Sequence, residues 1–278
     1  MRPPAPDRRK LVPWPVERVA AVRAALPDRY RVLADLGAGL GLRQGEMFGL
    51  AVDDVDFLRG VVHVRRQVKL LDDKPHFALP KGGRQRDIPL PEQVALRLAA
   101  HLQAWPAVAV TLPWSPVGKP ERHRLLCSTR ERTALNRTYV NRHVWKPALK
   151  QAGAPATREN GMHALRHHFA TTLLEDGLNP KAVADWLGHA DPGFTLRVYG
   201  HVMPASEDRA REAVDRAFGR GASRDSCAPG RSREGIRPGQ RLTTLDVVVE
   251  VELRGIVQPG SVPITIGRYR PVTSSNAA

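Results

Sequence analysis

Two hydrophobic periods divide this 278-residue chain. Over most of its length apolar residues recur every three or four positions, the pattern of helices that pack through one face. Between residues 61 and 90 the period drops to two. Val61-Val62-His63-Val64, Phe77-Ala78-Leu79 and Arg86-Asp87-Ile88-Pro89-Leu90 read as strands. Pro80-Lys81-Gly82-Gly83, between the last two, is a turn signal. Strands bury a face only against partners, so these segments predict a small antiparallel sheet within a mainly α chain, an α+β fold.

Helical spacing predicts helices over 16–26 and 30–36, a break at Gly37-Ala38-Gly39-Leu40-Gly41, and a short helix over 43–50. Further helices are expected over 91–104 and over 136–151, the latter disturbed at Pro147. Another runs over 162–176 and stops at Gly177, and one over 180–187 opens with Pro180 and closes at Gly188. A helical turn over 194–199 and a charged amphipathic helix over 204–218 complete the set. Residues 1–15 hold five prolines and read as a flexible lead-in, and 106–124 as a Pro-rich surface loop. The Gly, Pro, Ser and Arg texture of 219–278 predicts a disordered basic tail, with 245–251 as a strand lacking an evident partner. The expected folded domain is therefore 16–218.

Charge narrows the partner. The formal net charge is +15, and 221–278 carry eight Arg against five acids, so +12 of it belongs to 1–220. A polyanion is the natural partner, because each phosphate neutralised releases condensed counterions. No apolar run spans a bilayer, and Met1 to Lys10 lacks the apolar core of a secretory signal. The two cysteines, Cys127 and Cys227, have no metal or redox spacing, which fits a reducing cytoplasm.

Three segments carry candidate chemistry. Arg43, after the Gly-rich turn and at the start of a short helix, offers a guanidinium fork that can hold two phosphate oxygens. Glu46, one turn on, is placed to orient it. His163 and Arg166 share a face near the start of the 162–176 helix, an end suited to an anion. His163 and His167 are also a zinc-type i,i+4 pair, but Ala164 stands where a metalloprotease helix has its general-base Glu, and nothing nearby completes a ligand set. His189 follows a helix end, and Tyr199 comes ten positions later.

Taken together, these residues resemble the tyrosine recombinases, the phage integrase family. The run from Gly161 to His201, with His163-x-x-Arg166, Leu187-Gly188-His189 and then Tyr199, is similar to that family's C-terminal boxes. Gly41-Leu42-Arg43 with Glu46 resembles its first arginine box. Leu79-Pro80-Lys81-Gly82-Gly83 followed by Arg86-Asp87-Ile88-Pro89-Leu90 resembles its catalytic-lysine hairpin. The resemblance covers about residues 14–218 and implies strand cleavage by transesterification. Tyr199 attacks a DNA phosphodiester, forming a 3′-phosphotyrosyl bond and releasing a 5′-hydroxyl. His163 is the general base, Arg43 and Arg166 clamp the non-bridging oxygens, His189 donates to them, and Lys81 protonates the leaving oxygen. Lys69 and Lys74 compete for that last role, and Glu46 supports the site without chemistry of its own. No cofactor and no metal are implied. The implied partners are double-stranded DNA bearing a recombination site and a homo-tetramer assembled on it, with an accessory DNA-bending protein left open.

The family usually places a helical core-binding domain ahead of the catalytic one. About forty residues precede Arg43, fewer than a domain of usual size needs. The alternative reading that follows is a truncated, cleavage-incompetent DNA-binding remnant of an integrase. A topoisomerase-like relaxing enzyme and a zinc protein are the remaining alternatives.

Overall fold

The computed structural model describes residues 12–219, apart from 117, 190, 201, 202 and 204–206. The fold is mainly helical, with two small sheets where the sequence predicts one. The elements are α1 (Val16–Ala25), α2 (Arg31–Leu40), α3 (Gln44–Gly49), β1 (Val55–Asp56), β2 (Val61–Val64), β3 (Gln67–Leu71), β4 (Lys74–Ala78) and β5 (Arg86–Pro89). There follow α4 (Glu92–Ala104), β6 (Val108–Trp114), β7 (Gly118–Leu125), α5 (Arg137–Val140), α6 (Lys146–Gln151), α7 (His163–Glu175), α8 (Pro180–Leu187), α9 (Pro192–Tyr199) and α10 (Glu207–Gly219). Of the expected tail over 219–278, only Gly219 falls within the described residues, and the strand expected over 245–251 lies outside them. No described helix is long and apolar enough to cross a membrane.

α2 is the hub, packed against α1, α4 and α7. The expected break at Gly37 does not occur, because helix packing overrides it. A Cβ at Gly37 would lie 2.7 Å from Leu165 Cδ1, so the glycine is what lets α2 and α7 approach so closely. The helix ends instead at Gly41, whose left-handed φ of 62° a side chain would strain. Leu33, Leu36, Leu40, Met47, Phe48 and Leu165 fill the core around it. Phe169, Ala170, Leu174, Val183, Leu187 and Tyr199 form a second cluster beneath α8 and α9.

The predicted single sheet resolves into two. β5 pairs antiparallel with β2, which also pairs with β1. β4 pairs with β3 through a two-residue turn in which Asp72 and Asp73 both take positive φ, the turn whose twist matches a hairpin. The segment Pro80–Gly83 is therefore no hairpin turn. It carries the chain from one sheet to the other, closed by Gly83 N–H donating to Pro80 O at 2.8 Å.

The surface loop expected over 106–124 is instead β6 and β7, added beside β4 through one parallel register pair, Phe77 and Trp114. Val108, Val110 and Leu112 point inward in alternation with exposed Ala109 and Thr111. The prolines that disguise this period sit where no ladder N–H is missed: Pro113 at the irregularity, Pro116 in the turn and Pro120 on an edge strand.

Pro147 is accommodated upstream. Its missing N–H leaves the carbonyl one turn earlier without a helical partner, and Asn141–Trp145 widens into a π turn between α5 and α6. Trp145 then stacks on Trp14, ring centroids 6.1 Å apart. Trp14 donates from Nε1 to Asn160 Oδ1, and Trp145 donates to Asn160 O. These bonds brace the loop that leads into His163.

Candidate active site

The C-terminal end of α8 organises the site. Asn179 caps the helix start by accepting from Lys181 N–H, and Gly188 closes it at a φ of 64°. His189 N–H returns to Ala184 O and Gly188 N–H to Asp185 O, both at 2.9 Å, a Schellman arrangement. The carbonyls left without intrahelical donors are Trp186, Leu187 and Gly188. Each accepts from a different guanidinium: Arg86 Nε at 2.5 Å to Trp186 O, Arg166 Nη2 to Leu187 O, and Arg43 Nη2 at 3.3 Å to Gly188 O. The negative end of a helix dipole thus holds three cations together.

Arg166 is 1% exposed and also donates from Nη1 to Gly41 O at 2.7 Å. It therefore joins the ends of α2 and α8. Burial first, then the charge of Arg43, pulls its pKa down from the ordinary value. Arg166→Ala is expected to destabilise the fold by about 2–5 kcal/mol, because two buried carbonyls lose their donors at ~1–3 kcal/mol each. Chemical denaturation of parent and variant measures this, and a difference below ~1 kcal/mol would show that the carbonyls find other partners.

Glu46 lies 1% exposed between two arginines. Its carboxylate accepts from Arg43 Nη1 at 3.0 Å and from the Arg43 backbone N–H at 2.9 Å. Arg86 takes both oxygens, at 3.0 and 2.7 Å. Burial pulls this carboxyl upward, but Arg86 and then Arg43 outweigh it and hold the pKa at about 2. Sequence spacing alone does not mark Arg86 as a site residue, yet its side chain is only 6% exposed.

Arg43, Lys81 and His163 line one cavity of about 1000 Å³. Lys69, Arg137, Lys146 and Arg158 line it too, and none of its lining residues is acidic. Arg166, His189 and Tyr199 are not on its wall. Tyr199, at the end of α9, is 2% exposed within the second core cluster. Its hydroxyl bonds His167 Nδ1 at 2.5 Å, and not His163. The His163 and His167 rings meet edge to face with centroids 4.5 Å apart, so a line of contacts runs from the cavity through His163 and His167 to the phenol. The i,i+4 pair weighed above as zinc ligands thus has one nitrogen engaged by Tyr199. No group of three His, Cys, Asp or Glu suited to a metal ion occurs among the described residues. His189 Nδ1 bonds Thr195 Oγ1 at 2.7 Å, tying α8 to α9.

The site keeps its imidazoles neutral. Loss of solvent around the ring, then Arg166 and Arg43, pushes the half-buried His189 and the more exposed His163 down to about 4. Burial, then His163 and Arg166, takes His167 to about 3. Burial raises the Tyr199 phenol to about 12, against the pull of Arg166. A neutral imidazole facing a neutral phenol can accept its proton only when negative charge arrives nearby.

The phage integrase family model matches residues 16–206. The chain belongs to the phage integrase family. A tyrosine recombinase XerC-like protein of Caldanaerobacter subterraneus is 29% identical over 217 residues, 73% of this chain and 53% of that protein. Tyrosine recombinase XerA of Thermococcus kodakarensis is 31% identical over 197 residues, 71% of this chain and 59% of that one. This integrase-family chain thus spans little more than half the length of those two relatives. The Tn1549 transposon integrase, solved in complex with circular intermediate DNA, superimposes with a TM-score of 0.59 at 22% identity. That match covers 76% of this chain and 68% of the other. XerA recombinase gives a TM-score of 0.51 at 21% identity, covering 78% and 66%. The fold is that of the tyrosine recombinase catalytic domain.

Proposed function

We propose that this chain cleaves and rejoins DNA strands at a specific site through a 3′-phosphotyrosyl intermediate, and so carries out site-specific recombination. The observation that carries the reading is the acid-free cationic cavity holding Arg43, Lys81 and His163, with Tyr199 reached from it through His167. A DNA backbone fits such a surface, and its phosphates bring the charge that the neutral imidazoles lack.

The Tyr199 oxygen attacks phosphorus and the bond to the 5′-oxygen breaks. The phenolic proton passes to the imidazole pair of His167 and His163, and Lys81 protonates the leaving oxygen. Arg43 faces the non-bridging oxygens from the cavity, and Arg166 and His189 complete the clamp as Tyr199 and α9 shift out of the core. Glu46 keeps Arg43 in place. The phosphotyrosyl bond conserves the energy of the broken ester, so a second 5′-hydroxyl restores the backbone without ATP. One site cuts one strand, and exchange between two duplexes needs four copies of the chain. An accessory DNA-bending protein serves where the site must be folded back.

A pool of nicked duplexes with randomised flanks tests this directly. The nick lets the released strand diffuse away, so cleavage leaves protein bound to DNA. Adducts should survive denaturation, share a sequence, and carry the nucleotide on the peptide containing Tyr199. Recovery of adducts on another residue, or of none, overturns the proposal.

A further inference from the structure

We propose that Arg86 is a positioning residue that ties the Lys81 turn, the Arg43–Glu46 pair and the His189 helix end into one unit, and that it keeps Arg43 turned toward phosphate. The inference rests on the strand-cleavage reading above.

The geometry behind it is specific. Arg86 opens β5 three residues after the Pro80–Gly83 turn that presents Lys81. Its guanidinium spends three donors on two elements: both oxygens of Glu46, and Trp186 O at the end of α8. It also lies flat against Gly188, where a Cβ would sit 3.1 Å from Arg86 Cδ and Nη1. Gly188 O in turn accepts from Arg43, and His189 is the next residue. Among the described residues, Arg43 is the one other side chain that bonds both the Glu46 carboxylate and a carbonyl at the C-terminal end of α8, that of Gly188, and a phosphate must share its donors.

Dividing Glu46 between two arginines matters for Arg43. With Arg86 bonded to both carboxylate oxygens, Arg43 adds one guanidinium bond to Oε1 and sends Nη2 toward Gly188 O. Without Arg86, the buried carboxylate faces Arg43 as its one hydrogen-bonded cation, with Arg166 and His163 of α7 more distant neighbours. A two-point fork between Arg43 and Glu46 then becomes the favoured pairing, and it turns the phosphate-facing edge inward. A lysine at 86 restores the charge but not the fork, since a point charge cannot reach three acceptors on two elements.

The test is single-turnover cleavage by the full chain on a nicked duplex recovered with the parent protein. Arg86→Gln should slow cleavage by roughly 100-fold, the scale of a misplaced catalytic group, and change DNA affinity less than about threefold. Arg86→Lys should recover only part of the rate. Glu46→Gln added to Arg86→Gln should cost little more, because the two residues act through one contact. Arg86→Gln should also lose activity at a higher pH on the acid side than the parent, as Glu46, now held by Arg43 with Arg166 farther off, titrates nearer the working range and His189, relieved of the Arg86 charge, moves the same way. A mere loss of packing would not move that limb. Unchanged cleavage, full rescue by Lys, additive losses or an unmoved acid limb overturns the proposal. Should Arg86→Gln not fold, the paired change Arg86→Met with Glu46→Leu removes both buried charges together, and the same rate loss is expected of it. If the parent itself forms no adduct, the strand-cleavage reading has failed. The positioning claim is then read separately, by titrating inorganic phosphate against the Arg43 Nε–H resonance. Weaker binding in Arg86→Gln supports the claim, and equal binding refutes it.

Discussion

Tyr199→Phe is expected to abolish the covalent DNA adduct, by at least about a thousandfold, while leaving the protein folded and DNA-bound. The substitution removes one oxygen and keeps the ring that packs against Phe169, Val183 and Leu187. The structural cost is the hydrogen bond to His167 Nδ1, worth about 1 kcal/mol, since that ring is only partly buried and water can replace the phenol. Affinity should hardly change, because the cationic groups that line the cavity, Arg43, Lys69, Lys81, Arg137, Lys146 and Arg158, are untouched. Denaturing gels after incubation with the nicked duplex read the first outcome. Thermal melting and binding at fixed salt read the other two. An adduct that persists in the variant would mean that the nucleophile is some other side chain. A variant that loses DNA binding as well would mean that Tyr199 shapes the surface instead of attacking from behind it.

Much of this arrangement could be read from local sequence signals. Pro180 and Gly188 bound α8, Gly177 stops α7, and the spacing of His163 and Arg166 puts them on one helix face. Such signals act within a few residues. What escaped them depends on partners far along the chain. Strand 74–78 belongs with 67–71 and strand 86–89 with 61–64, a choice made by a tight Asp72-Asp73 turn that carries no glycine to announce it. β6 alternates as a strand should, but its prolines mask the period until their edge and bulge positions are known. Gly37 reads as a helix breaker until Leu165 is seen packed against it.

The same reason hides two side chains of the site. Arg86 stands four positions after Gly82 and looks like one more surface arginine in a chain with 35 of them. Its burial follows from Glu46, forty residues earlier, and Trp186, one hundred later. His167 was visible as the i+4 partner of His163, and that spacing first suggests a metal. Only the position of Tyr199 at the end of α9 shows that its nitrogen faces a phenol. An arginine that opens an Arg86-Asp87-Ile88-Pro89 strand, or a histidine one residue past a candidate catalytic arginine, is the kind of signal that flags such side chains.

Stability is expected to fall steeply as pH drops below about 6.5, and DNA is expected to restore it. His163 and His189 titrate near 4 and His167 near 3 in the folded chain, and His101 is lowered as well, first by burial. The unfolded chain protonates all four near 6.5. A base whose folded pKa is depressed favours the folded state fully above the unfolded value, and that contribution is lost as pH falls toward the folded one. Buried His101 and the half-buried His167 and His189 carry most of this loss, while solvent screens the exposed His163 and reduces its share. Glu46, near 2 when folded against an ordinary 4.5, extends the loss in the same direction below about pH 4.5. Melting temperature should therefore drop progressively between pH 7 and 4, and a flat profile would show that these imidazoles are not held neutral. At His163 and His189 burial is the first cause and the charges of Arg166 and Arg43 the next, joined by Lys81 at His163 and Arg86 at His189, with Glu46 opposing them at His163. A bound phosphate reverses that balance and raises every imidazole beside it. DNA binding near pH 6 should then take up protons, measurable as a binding heat that varies with the ionisation enthalpy of the buffer. It should also flatten the acid loss of stability. On the strand-cleavage proposal, the burial and charge crowding that make the free site fragile in acid also leave His163 and His167 neutral, ready to accept a proton once a phosphate arrives.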